Sequence, residues 1–501
     1  PMAPLFANRW LIALPPIWLV AAGGTVALLA ILAGYGLLRV AAPRAAAEAR
    51  ASLRDGFLGP LGWLLATCAA VTVAFAYPLA RMSPSPLVEI GRSLQRLVTA
   101  DAGSLALDVE PAAEMREIAL PFRPQELERI DLEAAGGRLL VRTQQPIEGF
   151  ALSKAADVDL DPGVPWEWRR SEGATSPFLG QRASLQASNA GEQPVRLTAR
   201  WRLVPEFPQA AILPWSAVVL GGLAAVYAAF RLSARRLAAV AAATTKEAIA
   251  QPVFAVALIA GTALLLAFIV IPYNTFGEDV KMLKDSGLTL IKILALLVVV
   301  WTASVAVADE IEGRTALTVL SKPLARWQFV LGKFAGLVMV AVLVFLILGA
   351  VLLATTSLKV VYDAREGAKL DPLWSDCAAE MITVVPGLVL AALETILLAA
   401  VSLAVSTRLG MVPNLVVCFT VYALGHLVPL IVQSSVGKFA IVRFVGKLFA
   451  TILPVLEHFT IEAAIVGGVP VPWSYLAWAA AYAGLYSAVV ALVLFQDRDL
   501  A

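Results

Sequence analysis

Cysteine and histidine are scarce in this 501-residue chain, which holds three of the first and two of the second. Cys68 and Cys418 fall in apolar runs and Cys377 stands alone in a polar stretch, so the sequence shows no disulfide framework and no CxxC metal or redox pair. His426 and His458 are too few for a His-rich metal or haem site. Charge is also low, at 15% against about 25% in soluble chains. The net charge of +2 forms no basic stripe, which excludes nucleic acid as a partner. There is no G-x-x-x-x-G-K-[ST]: Val436-Gly437-Lys438-Phe439 lacks the upstream glycine and the hydroxyl residue of a phosphate-cradling loop. HExxH and GxSxG are missing too, so no catalytic, cofactor or metal residues are expected on this chain. Asp157, Asp159 and Asp161 resemble a calcium loop only superficially. Gly163 comes one residue late and Trp168 stands at the twelfth position, which leaves a solvated acidic turn as the expectation.

Apolar residues are abundant instead. They make up 59% of the chain, and the mean hydropathy is +0.78. One water-soluble core could not bury that much apolar surface, so lipid must solvate much of it. A transmembrane helix needs about 20 apolar residues. That criterion predicts about nine spans: 10–38, 57–80, 210–231, 252–273, 287–308, 330–354, 382–406, 414–433 and 473–496. The first is too long for a signal-peptide core and is expected to be retained. A polar stretch at 81–208 interrupts the series. Its alternating runs Ser104–Val109, Arg138–Arg142 and Val195–Val204, separated by Pro and Gly turns, predict a small β-sandwich-like domain held without cysteine.

The expected fold is therefore an all-α polytopic membrane bundle with an inserted extracytoplasmic β-sandwich-like domain. Its parts are an N-terminal transmembrane pair with a basic linker (1–80), the β-rich domain (81–208), a third transmembrane helix (209–234) and a six-helix core (235–501). With the β domain outside, the inner connecting segments carry 14 Lys and Arg against 9 in the outer ones, which agrees with the positive-inside rule. The amphipathic stretch 436–459, with Lys438, Arg443 and Lys447, is expected to lie at the outer interface. An internal repeat runs in the same direction. Leu14-Pro15, Arg39, Arg54-Asp55, Pro60 and Tyr77 recur as Leu213-Pro214, Arg231, Lys246-Glu247, Pro252 and Tyr273.

The segment 309–326 is the most informative. Asp309, Glu310 and Glu312 place three carboxylates within four residues. Ala316, Leu317, Val319 and Leu320 follow, and Pro323, which has no N–H, ends or bends the chain. This pattern predicts a short amphipathic helix on the cytoplasmic surface, where a partner docks. Glu310, Glu312, Gly313, Arg314-Thr315, Leu320-Ser321-Lys322-Pro323, Arg326 and Gly332-Lys333 resemble the segment between the second and third core helices of ABC-2-type transporter permeases. The resemblance is closest to the branch that includes copper-site maturation and gliding-motility permeases. Thr245–Pro252 is similar to that family's elbow before the first core helix, while Ala325 stands where a Ser or Thr is frequent.

The resemblance implies a permease subunit of the bacterial inner membrane with a cytoplasmic C-terminus, dimeric with itself or with a second permease. A separate cytoplasmic ABC ATPase would bind Mg-ATP and dock on Glu310, Glu312, Gly313, Arg314, Thr315, Leu317, Leu320, Lys322, Pro323 and Arg326. The chain would bind no cofactor itself and would act as an exporter, with a periplasmic partner for the 81–208 domain.

Glu394 lies near the middle of a predicted span, where an unpaired charge costs several kcal/mol. It therefore needs a partner, a wet cavity or a proton. Lys292 and His426, on other spans, are the candidate partners. Gly332-Lys-Phe-Ala-Gly336 is a GxxxG, whose expected role is close helix packing. Two other functions are open at this stage. One is an ion-gradient-driven secondary transporter with Glu394 as its proton site, and the other is an assembly or sensor protein acting through the periplasmic domain.

Overall fold

The computed structural model describes residues 10–41, 56–82, 85–99, 102–146, 153–170, 176–178, 182–271, 278–312, 326–433, 439–460 and 470–493, together with Pro43, Ala47 and Arg50. The chain divides into two compact units, Ala80–Ala211 and the remainder.

The smaller unit opens with helix α3 (Pro86–Val98) and continues through eight strands: β1 (Ala102–Val109), β2 (Ala112–Ala119), β3 (Leu127–Ala135), β4 (Leu139–Pro146), β5 (Ser153–Leu160), β6 (Trp166–Arg169), β7 (Ser184–Asn189) and β8 (Val195–Leu203). They form two antiparallel four-stranded sheets in the orders β1-β8-β3-β6 and β2-β7-β4-β5. The period-2 pattern explains how the sheets pack. On β8, Val195, Leu197, Ala199, Trp201 and Leu203 are buried while Arg196, Arg200 and Arg202 point out. They share one core with Ile130 and Leu132 of β3, Val141 of β4 and Leu185 of β7, so both sheets contribute. Gly103 is required by this packing, because a Cβ there would sit 2.5 Å from the Trp201 indole nitrogen. The acidic run expected as a turn is in fact strand. Asp157 and Asp159 lie in β5, and Asp157 is paired with Arg142 of β4 at 2.6 Å.

The larger unit is helical: α1 (Leu14–Ala41), α2 (Leu58–Ala80), α4 (Ile212–Ser233), α5 (Arg235–Ala250), α6 (Pro252–Val270), α7 (Asp279–Glu312), α8 (Arg326–Glu366), α9 (Trp374–Ser406), α10 (Met411–Gln433), α11 (Ala440–Ile452) and α12 (Trp473–Val493). Seven of the described helices, α1, α2, α4, α6, α7, α8 and α9, are long and apolar enough to cross a membrane, which marks a multi-pass membrane protein. Helices α10 and α12 occupy the other two predicted spans.

Three helices run about eight or more residues beyond the predicted spans. Helix α7 begins at Asp279 rather than 287, α8 runs on from 354 to Glu366, and α9 begins at Trp374 rather than 382. Hydropathy marks only the apolar part of a helix, and the polar extensions hold no breaker until Gly367 and Ala368, where φ reaches 49°. The extensions are buried against one another. Lys359 is fully buried, donates to the carbonyls of Ile269 and Ile271 at 3.2 and 3.1 Å at the end of α6, and lies 3.5 Å from Asp279.

Candidate functional site

Glu394 sits on α9 among Leu390, Ala391, Leu397 and Leu398 and has no exposed side-chain surface. Each carboxylate oxygen has a donor. Lys292 Nζ of α7 lies 3.1 Å from Oε2, and His426 Nε2 of α10 lies 2.8 Å from Oε1. Lys292 is itself 8% exposed, and its ammonium stands 5.2 Å from the centre of the Tyr422 ring, within range of a cation–π contact. Tyr422 meets His426 edge to face at 4.9 Å. The structure thus brings the three polar intramembrane candidates into one cluster that joins α7, α9 and α10. Burying charges is tolerable only when each is paired and its remaining lone pairs are satisfied, and this arrangement meets both conditions for the carboxylate.

A second polar layer lies on the same seam. Asn414 Nδ2 of α10 donates to Ser304 Oγ of α7 at 2.9 Å and to Ser402 Oγ of α9 at 3.0 Å, while Cys418 Sγ lies 3.4 Å from Asn414 Oδ1. Towards the N-termini of α7 and α9, Lys284 pairs with Glu380 and donates to Thr383 Oγ1 at 2.6 Å. Sequence reasoning missed these residues. A signal for them existed on α10, where Asn414, Cys418, Tyr422 and His426 recur every fourth residue and so share one helical face. Among the described residues no group of three or more His, Cys, Asp or Glu could hold a metal ion.

Most of the expected docking segment lies outside the described residues, namely Gly313, Arg314, Thr315, Leu317, Leu320, Lys322 and Pro323. The backbone of its two ends is described. Asp309, Glu310 and Glu312 are helical and belong to α7, which continues past the predicted end of its span at 308, and Arg326 is the first described residue of α8.

The GxxxG lies on α8 against α5. A Cβ on Gly332 would meet Val240 Cβ at 2.6 Å, and one on Gly336 would meet Thr244 Cβ at 2.6 Å. Thr245 Oγ1 donates to Ala241 O at 2.8 Å and approaches Gly336 O at 3.3 Å, so the small residues let α5 lie directly on the α8 backbone.

No family model matches the chain, and no curated protein matches it at a significant level.

Proposed function

We propose that this chain is the transmembrane permease subunit of an ATP-driven transporter of the ABC-2 type, working as an exporter in a bacterial inner membrane. In this reading the 80–211 unit is outside and the C-terminus is cytoplasmic. The observation that carries it is the acidic stretch at the described end of α7. Asp309, Glu310 and Glu312 put three carboxylates within four consecutive helical residues, and a cationic partner surface would complement such a cluster. The likeness of 310–333 to the coupling segment of ABC-2 permeases names that partner as a separate cytoplasmic ATPase carrying Mg-ATP. The packing of α5 along α8 supports the same reading, because an elbow helix laid on the helix that follows the docking segment would pass ATPase movement into the bundle. Two permease copies, or this chain and a second permease, would face two ATPase subunits.

Glu310→Lys combined with Leu317→Asp is expected to abolish co-purification of a Walker-motif ATPase from the native host while membrane insertion is retained. Undiminished co-purification would refute the assignment.

The buried Lys292–Glu394–His426 cluster favours a second reading, a secondary transporter driven by an ion gradient, because ionisable residues inside a span mark ion or substrate pathways. Transport that persists without any ATPase would select it.

A further inference from the structure

The α7–α9–α10 seam holds one more chemical asset than a structural ion pair needs. Lys292 and Glu394 already neutralise one another, yet an imidazole is added to the second carboxylate oxygen. When Glu394 is ionised against Lys292 its carboxylate can only accept, so in that state Nε2 of His426 carries the hydrogen and donates it, which leaves the Nδ1 lone pair as the free base. Among the described residues Nδ1 has no hydrogen-bond partner. The side chains of Glu394 and Lys292 are 0% and 8% exposed, whereas His426 is 24% exposed and is the most accessible member of the cluster.

We propose that His426, held against Glu394, is a reversible proton-binding site inside the membrane-spanning unit. A hydrated proton from water forms an N–H bond at Nδ1 and the imidazole becomes an imidazolium. The cluster then passes from neutral to a net charge of +1 beside Lys292, with Glu394 as counter-ion to both cations. A seam with excess positive charge favours entry of water between α7, α9 and α10, so protonation and helix separation are linked. This goes beyond the permease reading and needs only the seam itself.

The groups that set the titration are confined. From α9 comes Glu394, from α7 Lys292, and from α10 itself Tyr422. The turn Leu456–Phe459, packed on α10 through Gly425 and Leu456, contributes Glu457 and His458, the latter edge-on to Tyr482 of α12 at 5.7 Å. Helix α12 also carries Tyr486, and α11, packed on α10, carries Arg443 and Lys447 in its sequence.

With only two histidines, the full chain carrying ¹⁵N-imidazole histidine in lipid nanodiscs gives two sets of signals, and His458→Gln identifies those of His426. The Nδ1 signal is expected to move from the unprotonated to the protonated position as the pH falls from about 8 to about 5. In Glu394→Gln the same change is expected to be displaced by about tenfold or more in proton concentration. Lys292→Gln is the second variant and must displace it as well, so one of the two suffices if the other fails to assemble. A His426 signal that does not change over this range overturns the proposal, as does a titration identical to the wild type in either variant. Either result leaves the ATPase co-purification test untouched.

Discussion

Glu394→Gln removes the counter-charge of Lys292 while keeping the side-chain volume, and its cost can be bounded from the geometry. The carboxylate is wholly buried and 3.1 Å from Lys292 Nζ, so in the variant the ammonium faces an amide and the Tyr422 ring but no anion. Breaking a buried pair by removing one partner costs about 3–5 kcal/mol. The escape route has a similar ceiling, since surrendering the proton of an ordinary lysine at pH 7 costs at most about 5 kcal/mol. At roughly 2 °C per kcal/mol for a chain of this size, the variant should melt about 6–10 °C below the wild type. Twelve tryptophans allow the melt of the detergent-solubilised full chain to be followed by intrinsic fluorescence. Lys292→Met combined with Glu394→Leu removes both charges and fills the site with apolar atoms, so it should recover most of the loss, because such replacements are often neutral or stabilising. A Glu394→Gln melt within about 2 °C of the wild type would mean less than about 1 kcal/mol of pairing and would refute the account of the seam.

Other outcomes are expected from different parts of the molecule. Gly336→Val places atoms against Thr244 Cβ and Ala241 O and should lower stability by about 1–3 kcal/mol, whereas Gly222→Ala, with nothing within 4 Å of its Cβ, should lose none; thermal melts of the two variants compare them. In a variant without native cysteines, a cysteine at the exposed Glu192 should react with an impermeant maleimide in intact cells, and one at the exposed Ser233 only after lysis; the reverse pattern overturns the orientation. Partial burial, with Glu89 and Glu126 nearby, pushes the Glu206 carboxyl above the usual carboxylate range despite Arg123 and Arg92. Because the folded state then binds its proton more tightly than the unfolded state does, stability falls as pH rises through that titration. Glu206→Gln should therefore slow hydrogen exchange in strands β1–β8 at neutral pH, and the gain should vanish in acid; equal effects at both pH values would count against it.

Several features could be read from the sequence because they depend on local pattern alone. Long apolar runs fix a membrane solvent irrespective of how the helices meet, and Leu213–Arg231 or Val253–Val270 would be apolar spans in any bundle. Alternation likewise marks Val195–Val204 as a strand with one buried face, since the pleat sends successive side chains to opposite sides. The same reasoning singles out Glu394, whose isolation in an apolar run is visible without neighbours. The helical extensions 279–286, 355–366 and 374–381 were not legible as buried elements, because hydropathy averages over side chains whose charge is neutralised only by tertiary partners such as Asp279 for Lys359.

What only the tertiary structure decided is which polar groups meet. Lys292 lies 102 residues before Glu394, and His426 lies 32 after it. Their pairing depends on the rotation of three helices about their axes, and a change of about 100° in any one would turn its polar group away from the seam. The sequence states that α10 has a face bearing Asn414, Cys418, Tyr422 and His426. Only the packing against Ser304, Ser402, Lys292 and Glu394 turns that face inward, because in an apolar solvent each polar group must find its partner within the protein.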